Sequence, residues 1–294
     1  MQNFEYRKAN SLQDALKLVS VSKDSVFMAG GTDLLVQIKE KLIRPKEVID
    51  LKCIPGISGI EVTEEEISIG ALTTIRDLEK SQDICNRIPI LSRAASRLGS
   101  VQVRNKATIG GNLCNAAPSA ETAPALLALE AKAEIYGSNG IRIVDMNEFF
   151  MGPGVTALED GEVLTKLKVP LFQEPFGSVY YSLSTRKAMD IAFVGVAVIV
   201  ILGEDSSINR ARIALGSVSP TPIRAQAAEN ILEGVAMDSN KAMEAAELAA
   251  QACNPITDLR ASAEYRREMV KSLCYRGLIK AYEDAVDFKG SNKK

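Results

Sequence analysis

Val26-Phe27-Met28-Ala29-Gly30-Gly31-Thr32-Asp33 runs a short apolar segment straight into two glycines. Leu34, Leu35, Ile38 and Leu42 then recur at helical spacing until Pro45. The reading is strand, glycine loop, helix. A helix entered this way presents N–H groups without an intrahelical acceptor and the positive end of its dipole, so the junction favours a bound anion. Glycine lets the backbone approach that anion closely. The same pair also suits an ordinary tight turn, and one such loop is weak on its own.

Outward from this loop, Ser11 is a good N-cap for a helix that places Leu12, Ala15, Leu16 and Val19 on one face. Val48–Leu51 and Ile67–Gly70 read as strands, Thr73–Glu79 as a capped helix and Pro89–Leu98 as another. Beyond the polar stretch 99–106, the segment from Ala107 to Pro118 reads as a second apolar strand leading into a glycine loop, Gly110-Gly111-Asn112, with Asn115 and Glu121 following. Asparagine amides donate to phosphate oxygens, and a nearby carboxylate accepts from ribose hydroxyls. Two loops of this type in one domain favour a pyrophosphate bridge. Ala123–Ala133 looks helical, and Ile135, Ile141 and Ile143 suggest a hairpin around residues 137–140, so strands and short helices interleave.

Two prolines and a glycine between Pro170 and Gly177 mark a boundary. It divides the chain into residues 1–172 and residues 177–288. Past it come strands at Ile191–Leu202 and Ala211–Leu215, then helices at Ala225–Leu232, Lys241–Cys253 and Ser262–Ala281, with a frayed tail from Gly290. Strands followed by helices give an α+β second domain.

Composition removes competing chemistries. The chain has 294 residues, 35 Lys+Arg against 37 Asp+Glu, no histidine and no tryptophan. Without imidazole there is no Ser-His-Asp or Cys-His pair, no His-ligated metal, no His general base and no cofactor attached through histidine. A net charge of −2 offers no general attraction for nucleic acid or an anionic membrane. The start of the chain has no apolar signal-like segment, and the run from Ile191 to Gly203 is too short to span a bilayer. Five scattered cysteines with no C-x-x-C suit reduced thiols in a cytoplasmic protein better than a disulfide framework or a metal cluster.

Other patterns carry less. Gly152-Pro-Gly-Val-Thr-Ala157 fits G-x-G-x-x-A, but Pro153 in the turn and the absence of a following helix make it a structural loop. Arg186, Lys187 and Asp190 precede a strand and could face a cofactor or solvate a strand start. Arg260, Arg266 and Arg267 read as a solvated or subunit-facing surface.

Taken together, Ala29–Leu34, Gln102–Asn112, Phe150–Gly154, Lys187–Ile191 and Ser219-Pro-Thr-Pro-Ile-Arg224 occur in order along the chain. In this they resemble the FAD-binding medium subunits of the molybdenum hydroxylases, such as those of bacterial xanthine, carbon monoxide and nicotinate dehydrogenases. The resemblance implies a PCMH-type FAD-binding domain of two α/β subdomains, about 1–55 and 56–172, followed by a C-terminal α+β domain. It places the FAD pyrophosphate on Ala29, Gly30, Gly31, Thr32, Asp33 and Leu34, and a second contact segment on Gly99, Thr108, Gly111, Asn112 and Asn115. Glu121 falls at the ribose carboxylate, where the family often has Asp, and Leu164 and the Tyr180-Tyr181 pair fall beside the isoalloxazine. Ser182 stands where the family often has Lys.

The same resemblance implies that the molybdenum cofactor and two-iron two-sulfur clusters sit in a large and a small partner subunit. This chain would hold non-covalent FAD and reduce an acceptor, NAD+ above all, within a dimer of heterotrimers. Xanthine or another purine is the substrate expected of the complex. A stand-alone flavin reductase on the same fold and a flavin-free assembly module are the alternatives. Gly31→Val is expected to weaken FAD retention by placing a side chain where phosphate must sit.

Overall fold

The computed structural model describes residues 3–22, 24–186 and 189–291. Its first unit alternates strand and helix: β1 (Glu5–Lys8), α1 (Leu12–Val21), β2 (Ser25–Met28), α2 (Leu34–Lys39) and β3 (Glu47–Asp50). Both β1 and β2 pair parallel to β3, in the order β1-β3-β2, and α2 provides the crossover that parallel neighbours require. Ser11 caps α1 as its sequence suggests, its Oγ accepting from the Asp14 N–H at 3.0 Å. α2 ends before the expected Leu42. The Lys41 and Leu42 N–H groups turn back to the carbonyls of Ile38 and Gln37 at 3.2 and 2.9 Å, with Lys41 at φ 65°.

The second unit opens with β4 (Ile60–Val62) and β5 (Glu66–Gly70). Six consecutive helices follow: α3 (Ile75–Lys80), α4 (Gln82–Arg87), α5 (Pro89–Arg97), α6 (Val101–Arg104), α7 (Ile109–Cys114) and α8 (Thr122–Ala128). The unit closes with β6 (Lys132–Gly137), β7 (Gly140–Asp145), α9 (Met146–Phe149), β8 (Phe150–Gly152), β9 (Val155–Thr156) and β10 (Val163–Pro170). The main sheet is antiparallel, β4-β5-β10-β6-β7. Here the expected interleaving gives way to a helical layer on a sheet. Ile75, Leu78, Ile90 and Leu126 of the helices share one core with Ile67, Ile69, Ile135 and Leu167 of the strands.

Three local expectations fail for identifiable reasons. The polar stretch 99–106 contains α6, because the Ser100 hydroxyl accepts the Val103 N–H at 3.2 Å and starts a turn of helix. No strand precedes Gly110: Thr108 caps α7, so both glycines lie inside a helix. The helix expected over 123–133 stops at Ala128, Glu130 turns left-handed at φ 55°, and β6 begins at Lys132.

The third unit is an antiparallel sheet of β11 (Phe176–Leu183), β12 (Val194–Leu202), β13 (Ile208–Gly216) and β14 (Ile223–Arg224). It is followed by α10 (Gln226–Asn230), α11 (Ser239–Gln251) and α12 (Ala263–Ser291). Every residue of β12 is buried, which explains its unbroken apolar run. Ala197, Ile199 and Ile201 face the core of the second unit, whereas Val194, Val196, Val198 and Val200 face α11 and α12. Burying each such Val or Ile contributes about 1.5–3 kcal/mol. α12 runs beyond the expected Ala281, and its end is held by Lys289, whose Nζ donates to the carbonyls of Gly203 and Glu204 at 2.9 and 2.5 Å. Gly290 belongs to this helix, and residues 292–294 of the expected tail lie outside the described residues.

Among the described residues no helix is long and apolar enough to cross a membrane, and no group of three or more acidic or cysteine side chains is placed to hold a metal.

Candidate functional site

Both glycine segments open on one cleft of about 910 Å³, within the range of cofactor sites. The first loop leaves the buried end of β2 at Met28. Gly31 takes φ +74°, a conformation that favours glycine. Gly30 has a different constraint: a Cβ there would lie 2.0 Å from the Lys106 carbonyl oxygen, so its lack of a side chain lets the first loop rest on the second segment. Lys52 donates from Nζ to the Ala29 carbonyl at 3.1 Å and pairs with Asp50 at 2.8 Å, anchoring the loop from behind. The N–H groups of Gly30, Gly31, Thr32 and Asp33 find no acceptor among the described residues. Burial pushes the Asp33 carboxyl above its ordinary pKa.

The second segment works differently. In α7 the N–H of Ile109 donates to Thr73 O at 3.0 Å, that of Gly110 to Ala71 O at 2.8 Å, that of Gly111 to Thr108 Oγ1 at 3.1 Å and that of Asn112 to Thr108 O at 3.0 Å. Its backbone donors are therefore spent, and the expected second glycine loop is corrected to a capped helix that offers side chains. Gly110 serves packing, since a Cβ would meet Ala71 Cβ at 2.7 Å. Asn112 Oδ1 accepts from Thr122 Oγ1 at 2.7 Å and Asn115 Oδ1 from Gln37 Nε2 at 3.3 Å, which leaves both amide NH2 groups without an acceptor among the described residues. Asn112 and Asn115 line the cleft beside Ala29–Leu34, Gly99, Thr108, Gly111 and Glu121.

Glu121 is only 8% exposed. Tyr180 donates to its Oε2 at 2.5 Å and Ser182 to its Oε1 at 3.0 Å, both from β11. Burial raises the Glu121 pKa, and the bonds from Tyr180 and Ser182 with the charge of Arg97 oppose that rise. Tyr180 is pushed well above its usual value, first by burial and then by the Glu121 carboxylate. A carboxylate oxygen carries two lone pairs, so Glu121 keeps acceptor capacity towards the cleft.

Leu164 of β10 lines the cleft. Tyr181 does not. Strand alternation sends Tyr180 and Ser182 towards Glu121, and Tyr181 to the opposite face, where it packs against the core formed with α12. The placement of Tyr181 beside the isoalloxazine is therefore corrected.

The C-terminal wall comes from Arg186, Met189, Asp190, Ile191 and Ala192, with Arg260. Asp190 accepts from the Arg186 N–H at 2.8 Å, which with the Arg186 charge holds its carboxyl below the usual range. Lys187 and Ala188, part of the same charged motif, lie outside the described residues. The surface reading of the late arginines holds for Arg267 and for Arg260, both exposed, although Arg260 also lines the cleft, and fails for Arg266, which is buried. Nothing in helical spacing marks Arg266, because its partners at Phe193 and Ser217 are distant in sequence. Cys114, also in the lining, is pushed up to about 12 by burial and is no nucleophile at neutral pH. Gly152 and Val155 pair across the β8–β9 hairpin, a structural loop with no Rossmann geometry.

The residues fit a dinucleotide. Four adjacent N–H groups without acceptors among the described residues line a single cleft together with the Asn112 and Asn115 amides, which provides donors for a pyrophosphate, and the buried Glu121 carboxylate lines it too, for a hydroxyl.

Comparison with known proteins identifies the family. Residues 2–172 match the family described as "FAD binding domain in molybdopterin dehydrogenase", and residues 179–281 the "CO dehydrogenase flavoprotein C-terminal domain". The chain is 34% identical to the 6-hydroxypseudooxynicotine dehydrogenase complex subunit alpha of Paenarthrobacter nicotinovorans, over 98% of both chains. It is 33% identical to the xanthine dehydrogenase FAD-binding subunit of Escherichia coli O157:H7, covering 94% of this chain and 95% of the relative. Among solved structures it superposes on carbon monoxide dehydrogenase from Hydrogenophaga pseudoflava with a TM-score of 0.93 at 34% identity, covering 96% and 98% of the two chains.

Proposed function

The chain belongs to the FAD-binding subunits of the molybdenum hydroxylases, and on that premise we propose that it carries electrons from a partner's iron–sulfur clusters to NAD+. One observation carries the cofactor assignment to particular residues: the N–H groups of Gly30 to Asp33, without acceptors among the described residues, share one cleft with the Asn112 and Asn115 amides.

In this reading Ala29–Leu34 bind the pyrophosphate through backbone donors, and Thr108, Asn112 and Asn115 bind it from the facing helix. Gly99 and Gly111 keep the cleft wall flat. Glu121 accepts from a ribose hydroxyl while Tyr180 and Ser182 hold its rotamer. Leu164 covers the apolar ring and excludes water. When bound, FAD supplies a redox centre that can exchange electrons singly with metal clusters and in pairs with a nicotinamide. The protein's part is binding, orientation and electrostatic tuning.

We place the domain boundary between residues 172 and 177, the molybdenum and iron–sulfur centres in a large and a small partner subunit, and the assembly in a dimer of heterotrimers. The purine class is the substrate favoured for the complex, in keeping with its xanthine dehydrogenase relatives. Five unpaired cysteines, two of them buried, suit a reducing cytoplasm.

Anaerobic addition of NADH to the purified complex tests the acceptor. Bleaching of the flavin absorbance is expected, since the step to NAD+ runs in both directions. A flavin bleached by the hydroxylation substrate yet unaffected by NADH would contradict NAD+ as the acceptor. Turnover by the chain without partners would instead favour a stand-alone reductase.

A further inference from the structure

Arg266 is 3% exposed at the start of α12. Its Nη1 donates to the carbonyls of Phe193 and Ser217 at 3.0 and 2.9 Å, its Nη2 donates to Asp258 Oδ1 at 2.7 Å, and its guanidinium lies 5.9 Å from the centre of the Phe193 ring. Each acceptor leads to the cleft. Phe193 directly follows Met189–Ala192, part of the C-terminal wall. The Ser217 N–H donates to the Pro118 carbonyl at 2.8 Å, in the turn that places Ala117, Ser119 and Glu121 on the FAD-domain wall. Asp258 accepts both the N–H and the guanidinium of Arg260 at 2.9 Å, and Arg260 lines the cleft.

One buried cation therefore reaches both walls and a second cation at the cavity. A buried ion pair is poor evidence of a stabilising role, because apolar side chains of equal volume often serve stability as well. Arg266 also keeps its Nε without a partner among the described residues. What apolar packing could not supply is the fork that fixes two carbonyls and a carboxylate at once.

We propose that Arg266 is a positioning residue of the flavin cleft: it fixes the spacing of the two walls and, through Asp258, aims the Arg260 guanidinium into the cavity, where its charge favours the more negative, reduced flavin. The inference rests on the flavin reading above. Arg186, the other cation among the described lining residues, is tied to the Met189 carbonyl and to Asp190, so Arg260 is the one whose aim depends on Arg266.

The midpoint potential of the flavin in the assembled complex, with melting temperature and FAD dissociation measured alongside, tests this. Arg260 is 40% exposed on its side chain, so Arg260→Gln should melt like the parent and show a more negative potential. Arg266→Lys keeps the charge but loses the planar fork, and should show the same direction of shift together with several-fold weaker FAD binding. A parental potential in Arg260→Gln overturns the proposal even if Arg266→Lys does not fold, as does a parental potential in Arg266→Lys whatever its melting temperature. A parent complex without flavin overturns both readings, whereas flavin present with both variants at the parental potential overturns this one alone.

Discussion

At the scale of single residues, the two glycines of the first loop act in different ways. A Cβ on Gly31 would point at Met28 Sδ and Leu35 Cδ1, 3.2 and 3.3 Å away, and into the protein. The expected loss of FAD in Gly31→Val thus arises from the loop conformation. Valine at φ +74° costs on the order of 1–3 kcal/mol of strain, and the loop that relieves it withdraws its N–H donors. Gly31→Val should lower both melting temperature and flavin occupancy; full occupancy in a folded variant would contradict the loop assignment. Tyr180→Phe leaves Glu121 with only the Ser182 donor in a buried setting. A lost bond to a charged acceptor costs about 1.5–3 kcal/mol. Weaker FAD binding at equilibrium is expected, and unchanged affinity would remove Glu121 from the site. The first loop was legible because strand, glycines and helix adjoin in sequence. Tyr181 was misplaced because the choice between adjacent tyrosines rests on which face of β11 meets the FAD domain, which only the packed sheet decides.

At the scale of elements, α7 shows how a glycine motif can mislead. Gly110-Gly111 resembles a loop, yet Thr108 caps a helix whose first N–H groups are taken by Ala71, Thr73 and Thr108 itself. Two of those acceptors, Ala71 and Thr73, lie 39 and 36 residues before their donors Gly110 and Ile109, beyond the reach of local pattern. Thr108→Ala removes the cap and should cost about 1 kcal/mol of stability, with looser FAD binding as Asn112 and Asn115 lose their frame. Chemical denaturation and flavin titration would measure the pair, and a stability loss with unchanged affinity would confine α7 to a structural role. Long periodic elements such as α11 and the buried β12 were legible, whereas ends set by Glu130 and Lys41 turning left-handed were not.

At the scale of the whole molecule, charge and domain contact meet. Arg212 pairs with Glu130 at 2.7 Å and Arg224 donates to the Leu127 carbonyl at 3.4 Å, tying the C-terminal sheet to the FAD domain beside the shared core. Desolvation works against the charged forms of Asp50, Glu79 and Asp258, but their hydrogen bonds and neighbouring cations outweigh it and hold all three below their ordinary pKa. A carboxylate depressed in the folded state contributes stability that is present above its unfolded pKa of about 4 and is lost as pH falls through the folded value. Glu121 and Asp33, raised by burial, act the other way, favouring the fold at lower pH and losing that contribution as pH rises. The depressed carboxylates are more numerous, so the melting temperature should fall as pH drops below about 4. A flat profile would contradict the ion-pair account.

The absence of histidine, first an exclusion, bears on the whole assembly. No imidazole is available to bond a flavin covalently, and the cleft offers donors for a pyrophosphate held without a covalent link. Denaturing the purified complex and filtering the supernatant therefore tests the central claim directly. Release of one intact FAD for each copy of this chain is the expected result. Protein that yields no flavin and cannot be reconstituted with FAD, or flavin that stays with the denatured chain, would contradict it.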